Sequence, residues 1–134
     1  MRQLILALLV LTTTLTEVQV NWKETSDWKI YNPGRLNIFT VPLDSLVYLR
    51  SRALAGDSVR QFLDSVKALP SGVRPAWMGG FLVTCVFRGE MRKIEVSSYG
   101  GFFYDPGSKT YFQLPAETKD SWFTYLNECL LAIE

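Results

Sequence analysis

Gly101-Phe-Phe-Tyr-Asp-Pro-Gly-Ser-Lys-Thr-Tyr-Phe-Gln-Leu-Pro115 is the stretch on which the fold turns. Asp105-Pro-Gly107 reverses the chain between two short aromatic runs, so the segment reads as a tight hairpin. Pro115 then opens a final helix, because proline gives up nothing at a helix start, where its missing N–H has no partner anyway. An earlier segment echoes it: Tyr31-Asn-Pro-Gly-Arg-Leu-Asn-Ile-Phe-Thr-Val-Pro42. Tyr31, Pro33, Gly34, Phe39 and Pro42 match Tyr104, Pro106, Gly107, Phe112 and Pro115, each pair 73 positions apart, as Tyr104 is from Tyr31. The two copies are therefore expected to be built alike, each a hairpin followed by a helix. Either duplication or convergence on a common turn accounts for them.

In the first copy, Asp27–Tyr31 and Leu36–Val41 flank Asn32-Pro-Gly-Arg35. Proline and glycine at the second and third turn positions suit a type II turn. That pairing would set Trp28, Ile30, Phe39 and Val41 on one face. Leu43–Leu54 and Asp57–Leu69 then read as two helices, the second carrying Val59, Phe62, Leu63 and Val66 at helical spacing. Phe81–Arg88 alternates as a strand, and Gly89-Glu90 reads as a two-residue hairpin loop. Folding there pairs Cys85 with Ile94 and Thr84 with Glu95, the first pair buried and the second toward solvent. In the last helix Trp122, Tyr125, Leu126, Cys129, Leu130 and Ile133 share a face. The expected class is α+β: an antiparallel β-sheet, made of an N-terminal hairpin plus a four-stranded meander, packed by an αα-hairpin and a C-terminal helix.

The chain has 134 residues, 48% of them hydrophobic and 20% charged, enough for one domain with a proper core. Met1-Arg2-Gln3 followed by an aliphatic run from Leu4 has the layout of a secretory signal peptide, with cleavage expected after Thr16 or Val20. Residues 1–20 are thus assigned to the signal and 21–134 to a single domain. The protein is expected to be secreted or periplasmic, with no membrane association after signal removal. Two cysteines in such a chain most simply pair. A Cys85–Cys129 bridge would pin helix to sheet and contribute about 3–5 kcal/mol in the loop-entropy picture.

A net charge of +1 argues against nucleic acid as a partner. The absence of histidine removes the commonest general base and metal ligand, so neither a metal nor any other cofactor is expected. A carboxylate-based hydrolase would have to draw on Glu90, Glu95, Asp105, Glu117 and Glu128, two of them facing one another. Asp105 is better explained as a turn residue and Glu95 as a cross-strand partner, so no catalytic residue is assigned and the chain is read as not an enzyme. The leading reading is a binding or interaction protein. Phe102, Tyr104 and Tyr111 project opposite to Phe103, Phe112 and Leu114, leaving an aromatic row for an unknown protein or glycan partner. A structural or self-associating module using the same row is the alternative.

Overall fold

The computed structural model describes residues 19–133. The expected signal peptide lies outside them, apart from Gln19 and Val20. The fold is α+β, with a seven-stranded antiparallel sheet of order β2-β1-β4-β5-β6-β7-β3. The strands are β1 (Thr25–Tyr31), β2 (Ser51–Ala53), β3 (Lys67–Ala68), β4 (Phe81–Phe87), β5 (Glu90–Val96), β6 (Phe102–Asp105) and β7 (Thr110–Gln113). Helices α1 (Gly56–Leu63) and α2 (Ala116–Leu131) lie on one face of it. Short 3₁₀ segments span Trp22–Glu24 and Leu43–Tyr48.

The second half of the chain folds as its local signals dictate. β4 to β7 form the expected meander. Its first turn is Arg88-Gly89, with φ of 52° and 78°. Positive φ at both central residues is the type I′ geometry that matches strand twist. The loop thus sits one residue earlier than Gly89-Glu90, and the register moves by two: Cys85 faces Arg92 and Val83 faces Ile94. A shift of two keeps every side chain on its expected face, because side chains alternate with period two. Phe103, Phe112, Ile94, Val96 and Cys85 are accordingly buried under the helices. α2 presents Trp122 and Leu126 to that core, and Trp122 stacks on Phe103 at 5.4 Å between ring centres. Thr84, expected toward solvent, is buried beneath Tyr31, whose hydroxyl lies 3.1 Å from its own.

The first half departs from expectation, and strand competition explains why. β1 is paired along one edge by β4 and along the other by β2, so no edge is left for residues 36–41 to form a hairpin with it. They run instead across the open face of the sheet, where Val41, Leu46 and Ile38 pack on Tyr31 and Leu82 as a second, smaller core. Phe39, expected inside, is 46% exposed. The αα-hairpin is likewise absent. Leu43–Leu54 divides into a 3₁₀ segment and edge strand β2, and Asp57–Leu69 into α1 and edge strand β3. Val59 and Leu63 still face the main core, so the helical periodicity was real but shorter.

The repeat survives in its turns rather than its strands. Gly34 N–H donates to the Asn32 side chain at 3.0 Å, and Gly107 N–H to Asp105 at 3.1 Å, the same side-chain-closed turn in both copies. Pro42 and Pro115 both stand immediately before a helical segment, with ψ of 152° and 154° that keeps each outside the helix it precedes. Only the strand that should follow the first turn is missing.

The expected Cys85–Cys129 disulfide is not formed; both cysteines are free. They face the same core but at different places. Cys85 lies opposite Arg92 and close to Asp105, whereas Cys129 sits beside Tyr125, near Ser58 at the start of α1. Burial, helped by the Asp105 charge, pushes the Cys85 thiol up to about 12, so it stays protonated and unreactive.

Candidate binding face

The sheet face turned away from α1 and α2 is only partly covered. Val41 and Leu46 close it over β1 and β4. Over β6 and β7 it carries Phe102, Tyr104 and Tyr111, each half-buried. The structure brings two of these together. Tyr104 and Tyr111 are direct cross-strand partners, their ring centres 4.4 Å apart. Phe102, expected opposite Tyr111, pairs with Gln113 instead, and its ring packs over Gly100. Sequence reading missed Trp77. It reaches this face from the segment between β3 and β4 and meets Tyr111 edge-on at 6.1 Å and Phe39 at 6.3 Å. A chain Phe39–Trp77–Tyr111–Tyr104 results. No strand pattern marks Trp77, because it lies in irregular chain after Pro75.

Charge flanks the aromatics. Glu95 is the cross-strand partner of Tyr104, and Lys93 lies two residues before it on the same face. Burial raises the Glu95 pKa, with Lys93 pulling the other way, and burial lowers that of Lys93. Lys93 Nζ donates to the Val41 carbonyl at 3.1 Å, tying the crossing segment to the sheet. The Tyr104 hydroxyl is also pushed up, first by burial and then by Tyr111 and Glu95, while Arg74 opposes the shift. Tyr104 therefore keeps its proton at neutral pH and can donate it in a hydrogen bond.

Two hollows lie on either side of this ridge. A groove of about 530 Å³ is bounded by Tyr104 and Tyr111, Ser71 and Arg74 of the turn after β3, and Ser108 and Lys109 of the β6–β7 turn. A shallower cleft of about 310 Å³ runs along the edge of β5 beyond the end of β6, lined by Phe39, Glu90, Lys93, Glu95 and Asp105. Its carboxylates are poorly placed for acid–base work. Asp105 is fully buried and its carboxylate is spent on Arg92 at 3.1 Å, the Ser108 hydroxyl at 2.7 Å and the Gly107 N–H. Glu90 and Glu95 are five positions apart on one strand, which sends them to opposite faces. Glu117 and Glu128 belong to α2 on the far side of the sheet.

A third hollow, of about 500 Å³, lies beside β1 where Asp27 makes a bulge at φ 50°, between Ser26 and Arg60. Among the described residues no helix is long and apolar enough to cross a membrane. Comparison with known proteins returns no match: no family model, curated protein or solved structure is similar to the chain.

Proposed function

We propose that this chain is a small exported binding module, secreted or periplasmic and without enzymatic activity, whose contact surface is the open sheet face around Tyr104 and Tyr111. The observation that carries the reading is the Tyr104–Tyr111 ring pair, standing on the side of the sheet away from the main core and bordering a concave groove. Tyrosine offers large, stiff contact area with a polar tip, which is why it recurs at recognition surfaces. Phe102 belongs to the same face but contributes at its margin. Tyr104→Ala and Tyr111→Ala should each cost about 1–2 kcal/mol, the ring pair plus the buried part of one half-exposed ring, well short of the ~3–5 kcal/mol of a core aromatic. Thermal melts of the two variants test this before any partner is known. A loss of the size expected for a core aromatic would show that the pair is structural, and the reading would fail.

A second reading is supported by the segment that crosses the open face. Leu36, Phe39, Leu43, Val47 and Tyr48 are all exposed, Tyr48 to 87%. An apolar run of this kind suits self-association, and sedimentation at increasing concentration distinguishes it from a monomeric binder.

A further inference from the structure

We infer that the groove between the turn after β3 and the β6–β7 turn takes an acidic oligosaccharide, one bearing carboxylate or sulfate groups. The inference rests on the reading of this face as a binding surface and names the ligand class. Tyr104 and Tyr111 form one wall. The C–H face of a sugar ring lies naturally on such rings, while its rim hydroxyls seek polar partners. Those partners are present: both tyrosines border the groove with Ser71 near them, and Ser108, whose proton goes to Asp105, is left as an acceptor.

Charge decides the sign of the ligand. Arg74 and Lys109 line the groove and both are exposed. Neither takes part in an ion pair among the described residues. No carboxylate lines the groove with them. The nearest buried acid, Asp105, is already committed to Arg92. Arg74 acts on the Tyr104 hydroxyl, which places its charge beside the aromatic wall. The backbone of both residues is held by its turn, so their side chains start from defined positions on the rim. Val73 N–H closes on the Pro70 carbonyl at 3.1 Å, with Gly72 at φ 85°, and Pro75 restricts the backbone of Arg74. Lys109 holds a left-handed φ of 55° at the end of the hairpin loop. Two unpaired cations on opposite rims of an aromatic, hydroxyl-lined groove match a chain that carries anions and hydroxyls together. An acidic peptide would meet the same two cations, with Leu69, Pro70 and Val73 as apolar contacts, but it would not use the paired rings and the hydroxyls together as a sugar does.

The test is calorimetric titration of the full mature chain with trigalacturonate, a heparin tetrasaccharide, neutral maltotriose and a tetraglutamate peptide. One of the two anionic saccharides should bind, and which one tells carboxylate from sulfate recognition. Affinity should fall as salt rises. Arg74→Gln and Lys109→Gln should each weaken it roughly tenfold, the loss of one charge-assisted hydrogen bond. The inference is overturned if neither anionic saccharide binds or if maltotriose binds as well. It is also overturned if tetraglutamate binds more tightly than both, or if the two substitutions leave affinity unchanged. None of these results touches the melts of the tyrosine variants, so the ligand class can fail while the binding face stands.

Discussion

Glu95 sits where burial and charge oppose one another, and burial is the stronger. Its folded pKa lies above the value in the unfolded chain, so the fold holds the proton more firmly. The stabilisation from that proton is complete below the unfolded pKa and is lost as pH rises through the folded one. At neutral pH the ionised carboxylate is therefore a burden on the fold. Glu95→Gln should be more stable than the parent at pH 7, with the difference closing as both approach about pH 4, near the ordinary glutamate value. Urea midpoints at the two pH values measure this; a variant less stable at pH 7 would show that Lys93 outweighs burial. Cys85 follows the same logic, its thiol raised first by burial and then by the Asp105 charge, with Arg92 opposing. Its inward position was legible from strand alternation, but its distance from Cys129 was not. Sharing a buried face fixes the direction of a side chain and says nothing of where along the helix its counterpart falls.

At the level of elements, what was legible was what is local. The meander and the last helix announce themselves through turn residues and through periods of two and 3.6, signals that need no knowledge of distant chain. The β4–β5 register slipped by two because glycine alone did not show that Arg88, rather than Glu90, shares the turn; the β6–β7 register slipped by two because the loop runs on from Pro106 to Lys109. The slip spared the faces, so Phe112 was placed correctly and Tyr104 and Tyr111 were put on one surface, though not directly opposite. The first hairpin failed for the converse reason. Asn32-Pro-Gly34 makes its turn, but β1 finds better partners in β2 and in the distant β4, where Tyr31 pairs with Leu82. Matched phenylalanines of the two copies thus part company. Phe112, 2% exposed and edge-on to Trp22 at 4.9 Å, should cost about 3–5 kcal/mol on truncation to alanine. Phe39→Ala, removing a ring that touches Trp77 from solvent, should cost about 1 kcal/mol or less. Chemical denaturation of the two variants side by side decides it; equal losses would mean that the crossing segment is as much core as the hairpin.

For the whole molecule, the described core begins with Val20, which packs with Trp22 and Trp28 in the main cluster. On the export proposed above, removal of a signal peptide after Val20 would strip that side chain, and we propose cleavage after Thr16, which keeps this packing. Intact mass of exported protein should correspond to a chain starting at Glu17; a start at Asn21 would show that the fold does without Val20. The strand order carries its own consequence. The meander β4 to β7 comes from the later part of the sequence, yet it is bordered by β1 and β2 on one side and β3 on the other, all of which precede it in the chain. The early chain grips the late chain like a clasp closed at both ends. Neither part presents a finished sheet without the other, so the molecule assembles late and all at once, with its rate set by distant pairings rather than by its fast-forming turns. The clasp also leaves only two- and three-residue strands at the borders, too short a template for a neighbouring copy to extend.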